Sequence, residues 1–179
     1  IRGFLFVPDI MWHKIRSSSS TDHYLFDSVR DADQQFKKYL RPNSRGNAAS
    51  VDGVLESFYS DGYLMANGSN VDSYDKNNET YVGWIWDAGT TTSSNTNGSI
   101  TSQVRASTTT GTSIVTYEGT GANATVGHGL SSPPDWIIFK DINRDDEPWF
   151  VYHSSLGSSA YLFLNTMAGQ TTGQSDFMN

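Results

Sequence analysis

Pro8-Asp9-Ile10-Met11-Trp12-His13-Lys14 and Pro134-Asp135-Trp136-Ile137-Ile138-Phe139-Lys140 are two versions of one block, and their alignment decides the fold. Without a gap, Tyr24-Leu25-Phe26-Asp27-Ser28 then falls on Phe150-Val151-Tyr152-His153-Ser154, apolar on apolar and Ser on Ser. Shortening the next loop by four residues brings Tyr39-Leu40-Arg41-Pro42-Asn43 onto Tyr161-Leu162-Phe163-Leu164-Asn165. Three blocks in the same order mark an internal repeat.

The repeat also predicts a buried face. Side chains two apart share one face of a strand, and on that face Ile10 and Trp12 are replaced by Trp136 and Ile138, the same two types exchanged. Exchanging a large and a medium side chain conserves filled volume, which matters in a close-packed core. The face carrying positions 10 and 12, or 136 and 138, is therefore expected inside, with Trp12 and Trp136 structural.

Between the repeated blocks the pattern is strand and turn. Leu55–Phe58 and Tyr63–Met65 flank Tyr59-Ser60-Asp61-Gly62, where Asp-Gly suits the positive φ angles of a tight hairpin, and Asn67-Gly68 marks the next turn. Tyr81-Val82-Gly83-Trp84-Ile85-Trp86 is the strongest strand, with Val82, Trp84 and Trp86 on one face and Tyr81 and Ile85 on the other. Residues 90–111 hold almost no bulky apolar groups and read as a linker with a short strand at Ile100–Val104. Strand patterning resumes at Thr112–Tyr117 and again at Ala124–Val126. Asp27-Ser28 as a cap, with Val29, Ala32 and Phe36 behind it, predicts one or two helical turns in Val29–Gln35, followed by a strand through Tyr39 and Leu40.

The expected fold is all-β: two similar β-sandwich modules of jelly-roll or lectin-like type. The first spans 1–89 and lacks its leading strands; a Thr/Ser/Asn/Gly linker spans 90–111; the second spans 112–179 and lacks its final aromatic strand. Composition agrees. Only 36% of the 179 residues are hydrophobic, but 13% are aromatic, so the core is built from rings. With 17% charged residues, polar positions fall to Ser, Thr, Asn and Gly, which favour strands and turns over surface helices.

A net charge of −7 argues against nucleic acid and against an anionic membrane surface, both of which need Lys and Arg clusters. Without cysteine there is no disulfide, thiolate nucleophile or Cys-based metal site. No apolar run approaches the roughly 20 residues that span a bilayer, so no membrane insertion is expected.

The blocks PDIMWHK, YLFDSVR, SFYSDGY and YVGWIWDAG, then NTNGSI, SIVTYEGTGANATVGHGL, PPDWIIFK and WFVYHSSL, closely resemble modules repeated in tail-fibre-like and other structural proteins of marine bacteriophages. There the modules often sit beside lectin-like or SPRY-like β-sandwich domains. The resemblance covers nearly the whole chain and implies a virion-surface protein, with no catalytic motif to carry over. His13 departs from the apolar residue usual at its strand position.

Asp141-x-Asn143-x-Asp145 copies the first three oxygen ligands of an EF-hand loop, but Asp146 stands where Gly is needed and Tyr152 where a bidentate Glu is needed, so a solvated acidic loop is the expectation and no cofactor or metal is assigned. His13, His23, His128 and His153 come without a nucleophile elbow or other local triad signature. Asp61, Asp72, Asp75 and Glu79 are the carboxylates available for glycan cleavage, and all lie at turns where solvation explains them. The sequons at Asn67, Asn78, Asn97 and Asn123 are about as many as the Ser, Thr and Asn content produces by chance.

Two functions are carried forward. One is a structural and adhesion module of a virion fibre, which self-associates or packs on other virion proteins. The other is a lectin-like module that meets host-surface glycan through Tyr59, Tyr63, Tyr74 or Trp149, with adjacent Asp and Asn as hydrogen-bond partners. A glycan depolymerase is the weakest alternative. Open sheet edges on incomplete modules predict association.

Overall fold

The structure, a computed structural model, describes residues 3, 5–30, 38–50, 55–65 and 74–174. The repeated blocks form the same hairpin twice. β1 (Ile10–Ile15) pairs antiparallel with β2 (Tyr24–Asp27), placing Ile10 opposite Asp27 and His13 opposite Tyr24. β11 (Trp136–Phe139) pairs with β12 (Phe150–His153), placing Trp136 opposite His153 and Phe139 opposite Phe150. These registers coincide residue for residue under the sequence alignment.

Smaller interactions repeat as well. The Ser28 amide donates to the Asp9 carbonyl at 3.0 Å, and the Ser154 amide to the Asp135 carbonyl at 2.8 Å. Asp27 Oδ1 accepts from the Val29 amide, and its counterpart His153 accepts through Nδ1 from the Ser155 amide. Lys14 and Lys140 each donate to the carbonyl of the next residue at 2.6 Å. The shortened third block holds too. Leu25 bridges Leu40 as Val151 pairs with Leu162 of β13 (Leu162–Phe163), and the Tyr24–Tyr39 edge contact at 5.1 Å recurs as Phe150–Tyr161 at 5.2 Å.

The aromatic strand β7 (Tyr81–Trp86) completes the first sheet, in the order β2-β1-β7. Two two-stranded pieces flank it: β3 (Lys38–Tyr39) with β4 (Ala49–Ser50), and β5 (Leu55–Tyr59) with β6 (Gly62–Met65). The β5–β6 hairpin turns at Ser60-Asp61, with Tyr59 opposite Gly62. Neither Asp61 nor Gly62 takes the positive φ expected there. The expected strand at Tyr39–Leu40 is present as β3 and the Leu40 bridge. The helical turns expected in 29–35 lie mostly outside the described residues; Val29 and Arg30 belong to a turn. The Asn67-Gly68 turn lies wholly outside them.

The buried face of β1 is the opposite of the one expected. Met11, His13 and Ile15 are buried, whereas Ile10, Trp12 and Lys14 are only half-buried. Met11 packs with Tyr24, Phe26, Leu55, Tyr63 and Tyr74 in the core cluster, to which Ile85 of β7 adds. The exchange of Trp and Ile between repeats conserves a patch on the outer face instead. Gly83 has a role on the inner face of β7: a Cβ there would stand 3.0 Å from the Tyr63 hydroxyl, so glycine admits that ring against the sheet.

The stretch 90–111, expected as a linker, is itself sheet. β8 (Thr92–Asn95), β9 (Ser102–Ser107) and β10 (Thr112–Tyr117) form a meander in the order β10-β9-β8. Thr and Ser suit a pleated, solvated surface, and backbone ladders hold strands that have few apolar groups to bury. Within this stretch the buried residues are Ser102 and Val104. The boundary expected at Thr112 therefore falls inside a sheet, at the β9–β10 turn.

Candidate functional site

The outer face of the first sheet carries the exposed aromatics. Register puts Trp12 of β1 opposite Trp84 of β7 and Leu25 of β2. The two indoles meet edge to face at 6.0 Å, and Trp84 remains 46% exposed. Trp12 Nε1 donates to His23 Nδ1 at 3.0 Å, so the His23 ring is neutral in this arrangement. Burial holds His23 below its usual range, with the Lys14 charge adding to that and Asp22 opposing it. Indole and imidazole thus fix each other, their rings also meeting edge to face at 5.9 Å.

A groove of about 380 Å³ opens beside them, lined by Trp12, His23, Pro42, Asn43, Leu164, Asn165, Thr166 and Met167. Its polar rim is tied down. Asn43 Oδ1 accepts from the His23 amide at 2.8 Å and its Nδ2 donates to Asp22 at 2.9 Å, while Arg41 pairs with Asp22 at 3.3 Å. Asn165 Oδ1 accepts from the Trp149 amide at 3.2 Å. The groove therefore combines an aromatic wall with positioned amides, and both repeats contribute to it.

None of the four aromatics expected to meet glycan lies in this groove. Tyr63, Tyr74 and Trp149 are buried, at 5%, 4% and 2% exposure, which corrects their assignment as ligand contacts. Tyr74 stacks on Tyr24 at 4.4 Å in the core, where burial pushes its hydroxyl pKa up. Trp149 donates through Nε1 to the carbonyls of Arg41 at 3.1 Å and Ser44 at 2.9 Å, clamping the second repeat to the first. Tyr59 is half-buried beside the β5–β6 turn.

The Asp141 loop closes on itself. Asp141 Oδ1 accepts from the amides of Asn143 at 2.9 Å and Arg144 at 3.2 Å, which hold its carboxyl below the usual range; Asp145 accepts from the Asn47 amide at 3.1 Å. Among the described residues no group of three or more His, Cys, Asp or Glu is arranged to hold a metal ion. Of the turn carboxylates, Glu79 accepts from Ser17 Oγ, Asp75 is exposed and Asp61 half-exposed, and Asp72 lies outside the described residues.

The sequence reading did not foresee the burial of two polar groups, Asp9 and His13. Asp9, with no exposed surface, accepts from the Ala88 amide at 2.8 Å and the Ser28 hydroxyl at 3.0 Å and pairs with Arg105 Nε at 2.6 Å. Burial pushes its carboxyl up; Ala88, Arg105 and Ser28 pull it back. Its repeat counterpart Asp135 is exposed. His13, 3% exposed, contacts the Tyr81 ring edge to face at 5.0 Å, and neither ring nitrogen has a hydrogen-bond partner. Burial, with Lys14 adding, pulls its pKa down to about 4. The apolar Phe139 at the equivalent position was the available signal.

Fold and surface together define a class: an all-β protein built on a duplicated antiparallel hairpin, with an indole-walled groove on its outer face. The chain belongs to the family described as a domain of unknown function, DUF7483, whose model matches residues 1–179. No curated protein and no solved structure matches it.

Proposed function

We propose that this chain is a structural and adhesion module of a virion-surface fibre or similar extracellular appendage, and that it binds or builds rather than catalyses. The observation that carries this reading is the duplication of the hairpin with its register and several of its local bonds retained, the economy of a protein that gains reach by repeating a unit. The resemblance to repeated modules of phage structural proteins supports the same reading. Immunogold labelling of intact particles with an antibody against this chain tests it: label is expected on external appendages, and label confined to unassembled cellular fractions would refute it.

A second reading, glycan attachment, is favoured by one observation: the exposed Trp84 and half-exposed Trp12 beside positioned amides. Sugar C–H faces stack on indoles, and hydroxyls pair with amides and carboxylates. The contact surface is then Trp12, Trp84, His23 and Asn43. Titration with neutral oligosaccharides, followed by tryptophan fluorescence, tests it; no saturable change in the native chain or loss of none in Trp84→Ala would remove it.

A further inference from the structure

The duplication assigns a ligand to an edge. In the second sheet the order is β11-β12-β13, and among the described residues no strand pairs with the outer edge of β11. In the first repeat the equivalent edge of β1 is covered by β7, with Ile10 opposite Trp86, Trp12 opposite Trp84 and Lys14 opposite Val82.

The hydrogen-bonding groups on that edge are identifiable. Because the Ser154 amide donates to the Asp135 carbonyl, the alternation of the ladder turns the backbone groups of 137 and 139 toward β12 as well. The N–H and C=O groups of Trp136 and Ile138 therefore point the other way. In β1 the same parity sends residues 10, 12 and 14 toward β7, a ladder that the Arg16 amide extends to the Thr80 carbonyl at 2.7 Å. The side chains agree: Trp12, packed against Trp84 of the neighbouring strand, is half-buried, whereas Trp136, with no neighbouring strand on that side among the described residues, is 50% exposed.

We propose that the outer edge of β11 is a strand-acceptor site that takes, in antiparallel pairing, an extended segment of β7's pattern. That pattern is alternating aromatic and β-branched residues with a glycine on the inner face. The acceptor places Trp136 opposite the residue equivalent to Trp86 and Ile138 opposite the equivalent of Trp84. Main-chain bonds supply the pairing and the two indole positions supply selectivity, as in strand addition generally. The site stands on the duplicated register and is independent of the fibre and glycan readings, so their failure leaves it in place.

A synthetic peptide of residues 80–87 added to the 179-residue chain tests it by amide hydrogen exchange. Exchange at Trp136 and Ile138 is expected to slow saturably, on the order of tenfold or more, with Ile137 and Phe139 unchanged. The peptide N-methylated at its Val82 and Trp84 positions should not bind. Ile138→Pro, which removes only an edge-facing donor and is tolerated on an edge strand, should abolish the effect. Concentration-dependent slowing of the same two amides without peptide would show the edge accepting a strand from another molecule and support the site. Absence of saturable protection, equal binding of the N-methylated peptide, or protection appearing at β1 instead would overturn it.

Discussion

Arg105 of the middle sheet reaches Asp9 at the head of the first hairpin, Nε to Oδ1 at 2.6 Å, with the carboxylate wholly out of water. The pair ties the Ser- and Thr-rich meander to the first repeat, and Arg105 Nε also donates to the Gly89 carbonyl at 3.1 Å. Removing one member leaves a buried charge and an unpaired Ala88 amide. Asp9→Ala is expected to cost about 3–5 kcal/mol of unfolding free energy. Asp135→Ala, the same change at the exposed equivalent position, should fall within about 0.5 kcal/mol of the native chain. Denaturant melts of the two variants check the contrast; equal losses would contradict it.

His13 makes the fold acid-sensitive in a defined direction. Its folded pKa, about 4, lies below the usual imidazole value of 6.5, so the stability it contributes is present above about pH 6.5 and is lost as pH falls through about 4. That depression corresponds to a loss of about 3 kcal/mol on going from neutral pH to below about pH 4. His13→Phe, the residue type found at position 139, should flatten this part of the pH dependence. It should also stabilise the chain at neutral pH by about 1–3 kcal/mol, because two partnerless buried nitrogens disappear. Thermal melts at pH 7 and pH 4.5 give the comparison; an unchanged slope in His13→Phe would show that other groups carry the acid response.

Trp149 is a joint between repeats. Trp149→Phe keeps a ring in the site but takes the indole donor from the Ser44 carbonyl and leaves the Arg41 carbonyl with the Ser44 amide alone, and is expected to cost about 1–3 kcal/mol. Trp149→Ala should cost about 3–5 kcal/mol. Exchange in 41–44 should rise in both variants; protection retained there would mean that other contacts hold the joint.

The Trp12–His23 bond requires a neutral imidazole, and His23 is held below its usual range. Its contribution is therefore present above about pH 6.5 and fades as pH falls through the folded value. Acidification should change indole fluorescence in the native chain and leave that component absent in His23→Phe. Truncating the neighbouring indole, Trp84→Ala, should cost about 0.5–1.5 kcal/mol for the lost ring contact beyond its area term. A native response identical to that of His23→Phe would remove the assignment.

The repeated hairpin was legible because alignment of the chain with itself compares residues that face one another across strands: once Tyr24 falls on Phe150 and Ile10 on Trp136, equal registers follow. Its sidedness was not. Trp12 and Met11 are both large and apolar, and the swap with Ile138 is as natural on a half-covered outer face as in a core. In the β8–β9–β10 sheet the strand at Thr112–Tyr117 and part of β9 were legible, but β8 and the pairing of the three were not, since their ladder is backbone and much of their surface is Ser and Thr. Of the groove, Trp12 was singled out but placed inside, while His23 was read only as a histidine without a triad and Asn43 only as part of a repeat block, because a groove assembled from residues 12, 23, 43 and 165 leaves no local pattern. Trp149 read as a candidate contact because the carbonyls that bury it, at 41 and 44, lie in the other repeat.

The two hairpins share a lattice of backbone bonds yet present different outer faces, Ile and Trp in one order on β1 and in the reverse order on β11. Lattice and face are thus separately heritable. Substitution on the outward positions rewrites what the surface offers to its surroundings without touching the ladder beneath, so a lineage that multiplies this unit can diversify its exterior at little risk to folding. A protein under pressure to change what it touches, generation after generation, is well served by such a division.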